Sequence, residues 1–201
     1  MPRIKWAGVI SSAAEYQRGE LAQNAKRLEM PKSVSEMMLK AIPFLIPSLV
    51  IIFLSMFLKT FMSREPVVSF LFVVLGFVVG FVLMLVHELL HAVVYPKGAT
   101  VYIGIMPKQF AAVALASYPM SRVRFAVMSL LPYVLGIVPL VLFWLMPAEH
   151  KAVNGLLFGM AVMGLVSPYP DCYNVFQMIR QTPKGSKLQF YEDDLYYIGQ
   201  E

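Results

Sequence analysis

Four long apolar stretches, separated by short polar turns, set the pattern of this chain. They run over about 41–62, 67–95, 121–146 and 152–166. About twenty consecutive apolar residues cross the hydrocarbon core of a bilayer. The pattern therefore predicts an all-α polytopic membrane protein with about four transmembrane helices. Polar and proline-rich turns punctuate the spans: Ser63-Arg64-Glu65-Pro66, Pro96-Lys97-Gly98, and Pro147 to Lys151. Pro43 and Pro47 fall in the first span, and Pro132 and Pro139 in the third, so both are expected to bend. Gly155 and Gly159, four apart in the last span, suit close packing against another helix.

Between the second and third spans the pattern changes. Val101-Tyr102-Ile103-Gly104-Ile105 is β-prone, Pro107-Lys108 is a turn signal, and 110–118 is mildly apolar. This predicts a short β or re-entrant segment, one or two strands, whose exposed edge offers a peptide a place to pair. An ordinary loop with one short strand is the plainer alternative. Residues 1–40 read as a cytoplasmic N-terminal segment. Within it, 13–30 mixes both signs of charge and predicts a solvated helix that Pro31 ends. Residues 41–182 form the expected membrane domain. The last stretch, 183–201, reads as a polar cytoplasmic tail. Asp171, after the fourth span, opens a short helical pattern through Val175, Phe176 and Ile179.

Composition narrows the class. Of 201 residues, 58% are hydrophobic and only 14% charged, which excludes an ordinary soluble domain. Cys172 is the single cysteine, so neither an intrachain disulfide nor a cysteine-based metal site is available. The net charge of +5 is no sign of nucleic-acid binding, because the bases sit at span boundaries. With four spans, fourteen Lys and Arg fall on one side and three on the other. That bias puts both termini at the cytoplasmic face. The first forty residues lack the apolar core of a cleavable signal.

The chemistry-bearing stretch lies inside the second span. His87-Glu88-Leu89-Leu90-His91 reads H-E-x-x-H, and no other ionisable side chain of comparable polarity occurs between Val67 and Tyr95. On a helix the two histidines are about 6 Å apart along the axis and leave one face. That spacing suits one zinc ion, with Glu88 placed to take a proton from water that the metal activates. Polar groups buried in a membrane default to function, against the plainer reading of a satisfied structural cluster.

A catalytic zinc needs a third protein ligand. Glu149 and His150 follow the third span and Asp171 the fourth. A 24-residue helix is roughly 36 Å long, which would put Glu149 and His150 a bilayer away from the motif and bring Asp171 back to it. An aspartate after proline at a helix start is also a good N-cap, so ligand and cap both stand for Asp171. Asn174, one turn on, is a candidate for binding a substrate carbonyl.

These residues resemble the zincin peptidase family of small bacterial membrane proteins. The features that carry the resemblance are H-E-x-x-H, a β-prone segment, Leu131-Pro132 in the next span, Asp171-Cys172-Tyr173-Asn174-Val175, and Thr182-Pro183-Lys184-Gly185-Ser186. It covers about 80–195. They are also similar to site-2-protease-type intramembrane metalloproteases, which pair the motif with a later aspartate on another helix. There the aspartate is usually followed by glycine, whereas Asp171 precedes Cys172. The resemblance implies zinc on His87, His91 and Asp171, with Glu88 as catalytic base. The expected function is a zinc-dependent membrane endopeptidase acting on membrane-associated or extended peptides at the cytoplasmic side. Its partners would be a peptide or membrane-protein substrate and the bilayer. A non-catalytic zinc-binding scaffold or sensor is the alternative. A metal transporter lacks a polar path, and three histidines cannot hold a di-iron site.

Overall fold

The computed structural model describes residues 1–107 and 111–199. Lys108 and Phe110, used above in the turn and segment expectations, lie outside the described residues, as do the last two positions. The chain divides into two compact units. One comprises Met1–Lys40, Leu85–Leu131 and Asp171–Glu201, and the other Ala41–Met84 and Pro132–Pro170.

Along the chain the elements run β1 (Arg3–Val9), a 3-10 turn (Ala13–Glu15), β2 (Ala25–Arg27), α1 (Val34–Ser63), α2 (Phe70–Val82) and α3 (Met84–Val94). Then come β3 (Thr100–Met106), β4 (Ala111–Leu115), β5 (Met120–Ser121), α4 (Arg122–Leu130) and, past a 3-10 turn at Leu131–Tyr133, α5 (Val134–Leu145). The chain continues with α6 (Lys151–Val166), α7 (Tyr169–Gln181), β6 (Lys187–Tyr191) and β7 (Asp194–Ile198). Among the described residues, four helical stretches are long and apolar enough to cross a membrane: Val34–Ser63, Phe70–Val94, Arg122–Leu145 and Lys151–Gln181. The second is interrupted at Leu83, and the third is broken at Leu131–Tyr133, around Pro132.

The expectation of an all-α chain is corrected by two sheets, both in the first unit. One has the order β1-β3-β4, with β1 parallel to β3 and β4 antiparallel to it, so 99–119 holds two strands. The other, β2-β7-β6-β5, is antiparallel throughout. The polar tail is thus largely a hairpin, and its Leu188 and Leu195 are buried with Phe125, Met128 and Met178. Alternation explains β3: Val101 and Ile103 point into this core while Tyr102 between them is only half-buried.

The solvated helix expected over 13–30 is also corrected. Only Ala13–Glu15 makes a single 3-10 turn, and Ala25–Arg27 is a strand. Three contacts explain this. A Cβ at Gly19 would lie 2.7 Å from the Ser117 carbonyl oxygen, a close approach that only glycine permits. Arg27 pairs with Asp194 at 2.8 Å, and the Leu28 N–H donates to the Leu195 carbonyl at 2.8 Å. Tertiary pairing overrides the helix-forming composition here.

In the second unit, α2 and α6 meet through glycine. A Cβ at Gly155 would crowd the Ser69 carbonyl oxygen at 2.7 Å, and one at Gly159 would fall on the Val73 carbonyl. This is the close packing that the Gly155–Gly159 spacing predicts. Lys59 is buried and donates to the carbonyls of Phe143 and Met146 and to Asn154 Oδ1. Asn154 in turn donates to the Pro147 carbonyl at 2.7 Å. The last carbonyls of a helix lack partners within it, so Lys59 and Asn154 satisfy the end of α5 and the turn after it. Phe53, Phe61, Phe70 and Leu71 are exposed on α1 and α2. Only 17% of the most apolar window of α1 is buried, so packing within this chain leaves these side chains uncovered.

Candidate metal centre

The motif helix α3 is amphipathic in an unusual sense, because its buried face is polar. His87, Glu88 and His91 are 4%, 8% and 9% exposed. Their ligand atoms lie within 4.8 Å of one another. The Nε2 atoms of His87 and His91 are 3.0 Å apart. Asp171, in the first turn of α7, places Oδ2 3.4 Å from His87 Nε2 and Oδ1 3.6 Å from His91 Nε2. Glu88 stands differently. Its nearer oxygen is 4.0 Å from His87 Nε2, and its carboxylate takes a hydrogen bond from the backbone of Ala114 on β4.

These separations suit one cation. Zinc at its usual 2.0–2.1 Å from nitrogen and oxygen ligands, in tetrahedral geometry, holds neighbouring ligand atoms about 3.3 Å apart. The two imidazole nitrogens are 3.0 Å apart, and each has one oxygen of the Asp171 carboxylate within 3.4–3.6 Å, Oδ2 for His87 and Oδ1 for His91. Protonation agrees. His91 Nδ1 lies 2.7 Å from the Met128 carbonyl, which can only accept, so Nδ1 carries the proton and Nε2 of the neutral ring presents its lone pair. His87 Nδ1 is buried without a hydrogen-bond partner among the described residues. An unpaired polar atom at that depth costs about 1–3 kcal/mol, which a cation on the other ring nitrogen would offset.

The sequence of α4 explains why the Met128 carbonyl is free. In an α-helix it would accept from the N–H four residues on, but that residue is Pro132, which has none. The bent third span thus hands a helix carbonyl to His91.

A family described as "Putative zincin peptidase" matches residues 80–187, more than half of the chain. The chain belongs to this family. The matched region of this zincin-family chain contains His87, Glu88, His91 and Asp171 and the strands β3 and β4. Comparison with curated proteins and with solved structures gives no match.

Of the residues singled out in the sequence, His87, Glu88, His91 and Asp171 come together. Asp171 is the third residue of α7 rather than its cap, and its carboxylate turns to the imidazoles. Glu149 and His150 are exposed at the start of α6, in the other unit. Asn174 lies one turn beyond Asp171, half-buried, and among the described residues no hydrogen bond joins it to the cluster. Two groups escaped sequence reasoning. The Met128 carbonyl had a readable sign in Pro132 four residues later. The Ala114 N–H had none, since a backbone donor leaves no mark on side-chain identity.

Proposed function

We propose that this chain is a zinc-dependent endopeptidase that cuts extended peptide segments at a membrane surface. The observation that carries the reading is Asp171 reaching both imidazoles, which supports a three-ligand set, as in a catalytic rather than a closed zinc site. His87, His91 and Asp171 would hold the metal. A bound zinc ion supplies Lewis acidity, acidifying water toward neutral pH and polarising a carbonyl. Glu88 sits beside the ligand set without bridging it, so it is free to act as the base. It takes the proton of the attacking water and returns it to the leaving amine as the peptide C–N bond breaks.

The open edge of β4 supports an extended substrate. In an antiparallel pair, alternate residues turn N–H and C=O away from the partner strand. Ala114 N–H goes to Glu88, so Ala114, and with it Ala112 two residues back, is of the outward kind. A peptide pairing along this edge would run past the catalytic carboxylate, and alanine side chains leave room for it. Asn174, on the same helix as Asp171, is then a candidate donor to the substrate carbonyl.

The membrane setting rests on four apolar helices of spanning length and their outward-facing aromatic and aliphatic side chains. The asymmetry of Lys and Arg supports a cytoplasmic placement of both termini. A purely structural zinc site would need Glu88 as fourth ligand, and its bond to Ala114 weighs against that.

The test is metal analysis and peptide cleavage with purified protein in nanodiscs. Wild type should carry one zinc and cut an extended fluorogenic peptide. Glu88→Gln should keep zinc and lose about 10²–10⁴-fold in rate, the usual worth of a general base. Cleavage by that variant at the wild-type rate would show the mechanism to be wrong.

A further inference from the structure

Outside the metal centre, the least explained surface is β1. Arg3, Ile4, Lys5 and Trp6 are four consecutive exposed residues, so both faces of the strand are open there. Trp6 is 62% exposed and Val9 69%. A parallel partner, β3, covers one edge only, and β1 ends its sheet. No acidic residue precedes Glu15. Tryptophan beside Arg and Lys, next to exposed aliphatic side chains, is the combination enriched where protein meets the headgroup layer.

The chain trace says what is close by. Arg3 donates its backbone N–H to the Ala99 carbonyl at 2.8 Å and stands opposite Thr100. Ala99 is five residues past Val94, the end of the 25-residue candidate span Phe70–Val94. Five residues reach at most about 18 Å even when fully extended. The start of β1 is therefore tethered close to the point where that span leaves the hydrocarbon.

We propose that β1 is a membrane-interface strand, with Trp6, Ile4 and Val9 in the headgroup layer and Arg3 and Lys5 on anionic lipid phosphates. This rests on the reading that the long helices cross a bilayer. Its consequence follows from strand spacing. β4 lies two strands from β1, about 10 Å away, so anchoring β1 fixes the depth, relative to the headgroups, at which the edge beside Glu88 is held.

The chain has two tryptophans, Trp6 and Trp144, which makes the test direct. Trp144 lies in α5, within a candidate span. Full-length Trp144→Phe and Trp6→Phe variants are reconstituted into phosphatidylglycerol vesicles containing acyl-brominated lipid, a collisional quencher. In Trp144→Phe, Trp6 emission should be quenched by bromines near the headgroup, less by deep bromines, and little by aqueous iodide. Adding Arg3→Glu and Lys5→Glu, or using pure phosphatidylcholine, should lose most of that quenching. If Trp144 is quenched by bromolipid in Trp6→Phe while Trp6 is quenched only by iodide, the membrane reading stands and the anchor is wrong. If Trp6 is shielded from both quenchers, protein covers it and the anchor is wrong. Quenching unchanged in phosphatidylcholine overturns the anionic assignment. If neither tryptophan responds to bromolipid, the bilayer reading itself has failed.

Discussion

His91 Nδ1 and the carbonyl of Met128 are 2.7 Å apart, and the carbonyl is available because Pro132 cannot claim it. A backbone defect in one candidate span thereby sets the tautomer and aim of a candidate metal-ligating ring on another. Pro132→Ala restores a competing N–H. Supporting groups of this kind are worth about 10–100-fold in metal affinity, and that is the expected fall in zinc binding, with overall helicity kept. The check is competition with a zinc-chelating dye alongside circular dichroism. Unchanged affinity would mean that the carbonyl does not orient the ring.

On the proposed ligand set, Asp171→Ala should lose more zinc than that, because a ligand rather than its support would be removed. His150→Ala, exposed in the other unit, should lose none. Metal content by mass spectrometry after dialysis separates the two. Equal retention in both variants would make Asp171 a bystander.

The β4 edge gives a third expectation. Proline at an edge strand removes one outward N–H without breaking the ladder. Ala112→Pro should therefore raise KM for an extended peptide several-fold, leaving zinc content and kcat close to wild type. A fall in kcat with KM unchanged would place the substrate elsewhere.

Lys59, in the second unit, supplies a stability test. Lys59→Met leaves the Phe143 and Met146 carbonyls and Asn154 Oδ1 short of a donor. Each stranded buried group costs about 1–3 kcal/mol, so thermal unfolding in nanodiscs should shift clearly downward. Asn154→Leu in the same background should cost less than it does alone, since the two side chains share one network.

Much of this was legible in the chain. Apolar runs of spanning length declared the long helices, and Pro132 declared the bend between α4 and α5. The H-E-x-x-H spacing placed His87 and His91 on one face, and the return of the fourth span made Asp171 the better candidate over His150. The sheets were mostly hidden. Strand β2 pairs with β7 from the far end of the chain, Ala25 opposite Ile198, and β5 with β6, Met120 opposite Leu188; the charges of β2 and the mixed charges and aromatics of β6 and β7 fit a helix or a tail equally well. Gly19 holds its position through contact with Ser117, a neighbour that no local pattern could name.

The division of the chain also orders events during synthesis. His87 and His91 leave the ribosome eighty residues before Asp171, and α4, α5 and α6 are all made in that interval. A nascent chain thus holds a pair of imidazoles with no carboxylate to complete the triad. If His87, His91 and Asp171 hold the metal as proposed, hydrolytic capacity would arrive only with the later helices, and an unfinished copy would be chemically silent.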